Sequence, residues 1–64
     1  MLYNGKTLEQ IAANMPSNMP KIHRAQYLAN CQEVINNESL GFNLDYCQQV
    51  RNANFMLISL YLNA

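Results

Sequence analysis

The residues able to act as acids, bases, nucleophiles or metal ligands are few and scattered: His23, Cys31, Cys47, Glu9, Glu33, Glu38 and Asp45. A single histidine cannot supply a His pair for a metal. Zinc sites draw ligands in close pairs such as C-x2–4-C, whereas Cys31 and Cys47 stand sixteen positions apart. A Cys–His nucleophile pair requires both groups on one face. Here the periodicity puts His23 on the polar side of a helix and Cys31 on its apolar side. No two of the four carboxylates share matching helical positions, and Gly5 and Gly41 are too far apart to build a phosphate loop. Catalysis needs such groups held together, so the expectation is a non-enzymatic protein with no metal and no cofactor.

The elements that carry these residues read as helices. Asn4-Gly5 is a turn signal. Thr7 with Gln10 three residues on forms a capping-box pattern, and Leu8, Ile11, Ala12 and Met15 follow at helical spacing. Pro16 disfavours the α conformation at Met15, giving a first helix over about 8–14. Ser17 or Asn18 can cap a second helix that admits Pro20 in its first turn and runs over about 19–37. Its apolar face is read as Ile22, Ala25, Leu28, Ala29, Cys31 and Ile35, widened by Tyr27 and Val34. His23, Gln26, Asn30, Glu33 and Asn37 form the opposite side. Gly41 marks a loop. Asn43 is placed to cap a third helix over about 44–62, with Asp45 near the positive end of its dipole and Phe42 and Cys47 at the positions of a hydrophobic staple. The fold class is therefore all-α, a single three-helix domain over residues 1–64.

The third helix changes character along its length. Leu44, Cys47, Val50 and Leu57 share a face, but from Phe55 onward apolar residues surround the axis: Phe55, Met56, Leu57, Ile58, Leu60, Tyr61 and Leu62. A helix apolar on every side must be covered on every side, and two other helices in 64 residues cannot easily do so. Phe55, Met56, Leu57, Ile58, Leu60 and Tyr61 are thus expected to meet a second molecule. Another copy of the chain is the simplest candidate, since two-fold homodimers are the commonest oligomers.

Thr7 to Tyr27 resembles a helix-turn-helix DNA-binding segment, over about a third of the chain. Ile11-Ala12 match the apolar–alanine pair of the first helix, and Met15 its last apolar position. Ile22 and Ala25 match the inward positions of the second helix. The resemblance implies that Asn18, Lys21, His23 and Arg24 face DNA. Pro16 departs from it by standing where a turn glycine is usual, and Pro20 constrains the start of the recognition helix.

Composition weighs between these readings. Half the residues are hydrophobic, only 12% are charged, and the net charge is zero. Ten Asn and five Gln make most of the polar surface neutral. Such a chain has no long-range field to steer it onto a polyanion, and near-zero charge favours association. Met1 to Thr7 lacks the pattern of a secretory signal, and Phe55–Leu62 is far shorter than the ~20 residues of a membrane span. The expectation is a soluble, cytoplasmic protein-interaction module, an adaptor, inhibitor or regulator with no membrane role. In size and low charge it resembles accessory proteins of phages or mobile elements. A dimeric helix-turn-helix regulator binding nucleic acid is the alternative, and a structural subunit of an assembly the second.

Overall fold

The computed structural model describes residues 1–62. Three helices follow one another: α1 (Leu8–Ala13), α2 (Lys21–Ser39) and α3 (Leu44–Leu62). No strand interrupts the described residues, and no helix among them is long and apolar enough to cross a membrane. Residues 63 and 64 of the expected domain lie outside the described residues.

Local signals set the boundaries. At Thr7 the capping box closes as its residue types dictate, with the Gln10 amide donating to Thr7 Oγ1 at 3.1 Å and the Thr7 amide to Gln10 Oε1 at 2.9 Å. α2 is not capped by Ser17 or Asn18. Pro20 occupies the N-cap in an extended conformation, which offers no side-chain oxygen. The preceding turn is instead held from inside α2: Arg24 donates from Nε to the Met19 carbonyl at 2.7 Å, and from one terminal nitrogen to those of Pro16 and Ser17 at 3.0 and 3.1 Å.

α2 also runs two residues past Asn37. A Schellman arrangement stops it, with Gly41 at φ 72°, its amide on the Glu38 carbonyl and the Phe42 amide on that of Asn37. Positive φ at that position is what glycine supplies cheaply. Asn43 precedes α3 as expected and its carbonyl accepts the Cys47 amide, but φ is 52° and its side chain turns to Asn37 Oδ1. Of the staple pair, Cys47 is buried while Phe42 remains mostly exposed.

α2 and α3 pack antiparallel as a long hairpin, and α1 closes one end over α2. α3 turns inward Cys47, Val50, Asn54, Leu57 and Tyr61, a 3-4-3-4 spacing that keeps one seam against a neighbouring helix. α2 answers with Tyr27, Cys31, Val34 and Ile35. The expected inner face of α2 is thereby rotated. Ile22 is 75% exposed, and Ala25 and Ala29 also face outward, whereas His23, Asn30 and Asn37 are half-buried. At about 100° per residue, Ile22 lies some 140° round the helix from Tyr27. The larger stripe of Tyr27, Cys31, Val34 and Ile35 takes the core and leaves the smaller one outside.

The inward packing of Ile22 and Ala25 that the helix-turn-helix likeness required is therefore absent, and Ala12 is exposed as well. Met19, in the turn between α1 and α2, is buried in the core. Tyr3 completes the core. It is folded in by a two-residue turn whose central residues, Asn4 and Gly5, have φ of 50° and 82°, with Tyr3 and Lys6 exchanging backbone hydrogen bonds. Two positive φ values match the type I′ turn that Asn-Gly favours.

Candidate functional site

What α3 buries decides what it leaves outside. Its inner seam is anchored by Asn54, which is fully buried. The Asn54 amide nitrogen donates to the Tyr27 carbonyl at 3.2 Å and lies 3.4 Å from Cys31 Sγ and 3.5 Å from the Tyr3 hydroxyl. Its carbonyl oxygen accepts from Asn30 Nδ2 at 2.8 Å. A buried polar side chain costs free energy unless its partners are supplied. This one is satisfied only when α3 sits in one register against α2, the role a lone core asparagine plays in coiled coils.

The far end of the hairpin is clamped by two side chains. His23 Nδ1 is hydrogen-bonded to the Tyr61 hydroxyl, and Asn18 Nδ2 donates to the Tyr61 carbonyl at 3.4 Å. At the near end Arg51 pairs with Glu38 at 2.5 Å and donates to Asn4 Oδ1 at 3.1 Å, tying the N-terminal turn to both long helices.

With the register fixed, α3 faces solvent through Phe55 (68% exposed), Met56 (71%), Leu60 (66%) and Leu62 (64%). Leu57, Ile58 and Tyr61, expected to meet a second molecule, are half-buried against the core of their own chain. The unpartnered surface is thus the Phe55, Met56 and Leu60 part of the expected interface, joined by Leu62. Exposed large apolar residues grouped on one face mark interaction sites, whereas single ones are ordinary.

The residues that the helix-turn-helix likeness assigned to DNA lie close together, but three are engaged within the chain. Asn18 and His23 hold Tyr61, and Arg24 holds the turn. Lys21 is exposed. Of the four basic residues, Arg24 and Arg51 are committed to internal partners, which leaves Lys6 and Lys21 for any phosphate.

Burial favours the neutral forms of Cys31, Tyr27 and Tyr3 in the core. Burial pushes the Cys31 thiol up to about 11 and the Tyr27 phenol up to about 12, and it raises Tyr3 as well. Both cysteines are free and buried. No three His, Cys, Asp or Glu gather among the described residues. A pocket of about 240 Å³ opens between the N-terminal turn and the helices, with Lys6, Asn4 and Asn14 round Tyr3, Tyr27, Ile11 and Ile58. One ammonium and two amides over an apolar floor can hold a small polar molecule, but they offer no acid–base pair.

Sequence reasoning passed over Asn54 and Tyr3. The signal for Asn54 was its place at the middle of the 47-50-54-57-61 seam, and for Tyr3 the Asn-Gly turn directly after it. No protein-family model matches this chain, and neither a curated protein nor a solved structure matches it.

Proposed function

We propose that this chain is a small non-enzymatic protein-interaction module, an adaptor, inhibitor or regulator that acts by seating the outer face of α3 against another protein surface. The observation that carries this reading is the cluster of Phe55, Met56, Leu60 and Leu62, each about two-thirds exposed on one side of a helix whose other side is already packed. Covering the exposed parts of four such side chains is worth roughly 4–8 kcal/mol of gross hydrophobic free energy. Association costs are of similar size, which suits regulated, micromolar contacts. The neutral amides Gln48, Gln49 and Asn52 continue the face toward the N-terminus of α3 and can hydrogen-bond across an interface without the desolvation cost of charges.

A DNA-binding reading has less support. Affinity for a duplex scales with the phosphates neutralised, and two of the four basic side chains are spent on internal hydrogen bonds.

The test is position-specific photo-crosslinking in the native host cell. A photoreactive residue replacing Phe55 or Leu60 should give a discrete protein adduct, and one replacing Asn36, on the exposed side of α2, should not. Equal labelling at all three positions, or none, refutes the reading.

A further inference from the structure

We infer that the pocket between the N-terminal turn and the helices binds a small monocarboxylate with an apolar body, of the arylalkanoic acid class. The inference is independent of the outer face of α3. Tyr27 is the residue that carries it. Its side chain lines the pocket and the residue is only 9% exposed, yet its hydroxyl has no hydrogen-bond partner among the described residues. Every side-chain nitrogen or oxygen sealed from solvent among those residues does have a partner, so the Tyr27 hydroxyl meets the open space beside it. A polar group this deep without a partner calls for an explanation, and an acceptor on a bound molecule supplies one.

The free groups round the pocket are mostly donors. Burial raises the Tyr27 phenol to about 12, so at neutral pH it keeps the proton it would donate. Lys6 forms no ion pair among the described residues, whereas the other cation nearby, Arg51, is neutralised by Glu38. Asn4 gives its oxygen to Arg51 Nε at 3.1 Å, which leaves its Nδ2 free to donate. One unpaired ammonium and two further donors match a singly charged group with two acceptor oxygens. Ile11, Ile58 and the Tyr3 ring supply the apolar part of the lining. The volume of about 240 Å³ exceeds the ~150 Å³ cavity that takes benzene and falls below the ~300 Å³ where drug-sized sites begin. A ligand of about ten non-hydrogen atoms, a ring with a short acidic arm, has that size. The walls are set before it arrives. Tyr3 and Lys6 exchange backbone hydrogen bonds at 2.8 and 3.0 Å, and Arg51 ties Asn4 to α3, so little ordering opposes binding.

Titration of the full chain, 13C-labelled at the isoleucine δ1 methyls, with phenylacetate at pH 7 and fixed ionic strength tests this. Ile11 and Ile58 line the pocket, whereas Ile22 and Ile35 do not. Saturable shifts at Ile11 and Ile58, with Ile22 unmoved and a Kd of about 1 mM or below, are expected. Phenylacetamide, of the same shape without the charge, should bind at least fivefold more weakly. Lys6→Gln should weaken phenylacetate at least threefold. Tyr27→Phe should do the same while its urea midpoint stays at that of the parent, because the hydroxyl makes no hydrogen bond within the fold. The absence of saturable shifts up to about 10 mM, or Ile22 moving as far as Ile11, would overturn the site. Equal affinity for the amide would overturn the carboxylate. A Tyr27→Phe variant that binds as the parent does, or that melts at clearly lower urea, would remove the hydroxyl as the ligand's anchor and the inference with it.

Discussion

Replacing Asn54 with aspartate changes one nitrogen to oxygen at a fully buried position and tests whether the α2–α3 register depends on that side chain. Asn54 now uses both ends: its oxygen accepts from Asn30 at 2.8 Å and its nitrogen donates to the Tyr27 carbonyl at 3.2 Å. An ionised carboxylate keeps the first bond and turns a lone pair toward the Tyr27 carbonyl. The lost donor and the repulsion cost about 1–3 kcal/mol, and burying the charge adds several more. A core of this size supplies about 3–5 kcal/mol in all, so Asn54→Asp should be largely unfolded at pH 7. Protonation restores a donor toward Tyr27 while the other oxygen still serves Asn30. The carboxyl pKa in the fold is thus raised above its unfolded value near 4. Stability is then greatest below that unfolded value and is lost as pH rises through the folded one. Urea melts followed by circular dichroism at pH 3.5, 5 and 7 should show cooperative folding returning as pH falls. If the variant at pH 7 melts within about 1 kcal/mol of the parent, the buried network does not hold the register as argued.

Three further outcomes follow from the same contacts. Arg24→Ala removes three hydrogen bonds to the α1–α2 turn and should cost about 1.5–3 kcal/mol, whereas Lys21→Ala should stay within about 0.5 kcal/mol; paired chemical melts check both. Burial raises Cys31 from 9.0 to about 11 and Tyr27 from 10.0 to about 12, so both stay neutral in the fold while the unfolded chain ionises. Stability should be complete below about pH 9 and fall progressively toward pH 12, with Cys31→Ala flattening the first part of that decline in an alkaline melt series. Gly41→Ala forces a side chain to φ 72° and should cost about 1 kcal/mol, read as a lower midpoint at unchanged slope.

The helices themselves were legible because their signals are local. Thr7 and Gln10 close the capping box that their types predict, and α3 spans Leu44–Leu62 as its pattern requires. The rotation of α2 was not legible. Ile22, Ala25 and Ala29 on one side compete with Tyr27, Cys31, Val34 and Ile35 on the other, and only the surface offered by α3 decides between them. His23 read as a polar outward residue and Asn54 was passed over, since a sequence records side-chain polarity but not whether a hydrogen-bonding partner waits in the core. In the apolar half of α3 some residues are packed on the core and others are exposed. Which residues stay uncovered depended on the register, which turned Leu57, Ile58 and Tyr61 inward and left Phe55, Met56 and Leu60 outside.

The methionines offer the most direct measurement of the claim that the outer face of α3 is a contact surface. Met56 lies on that face and Met19 is buried in the core, so methyl NMR of 13C-methyl-methionine protein reads both at once. Raising the concentration, or adding extract of the native host, should shift or broaden the Met56 methyl while Met19 holds its position. A Met56 methyl that remains sharp and unmoved under both conditions, in a folded protein, would contradict the account.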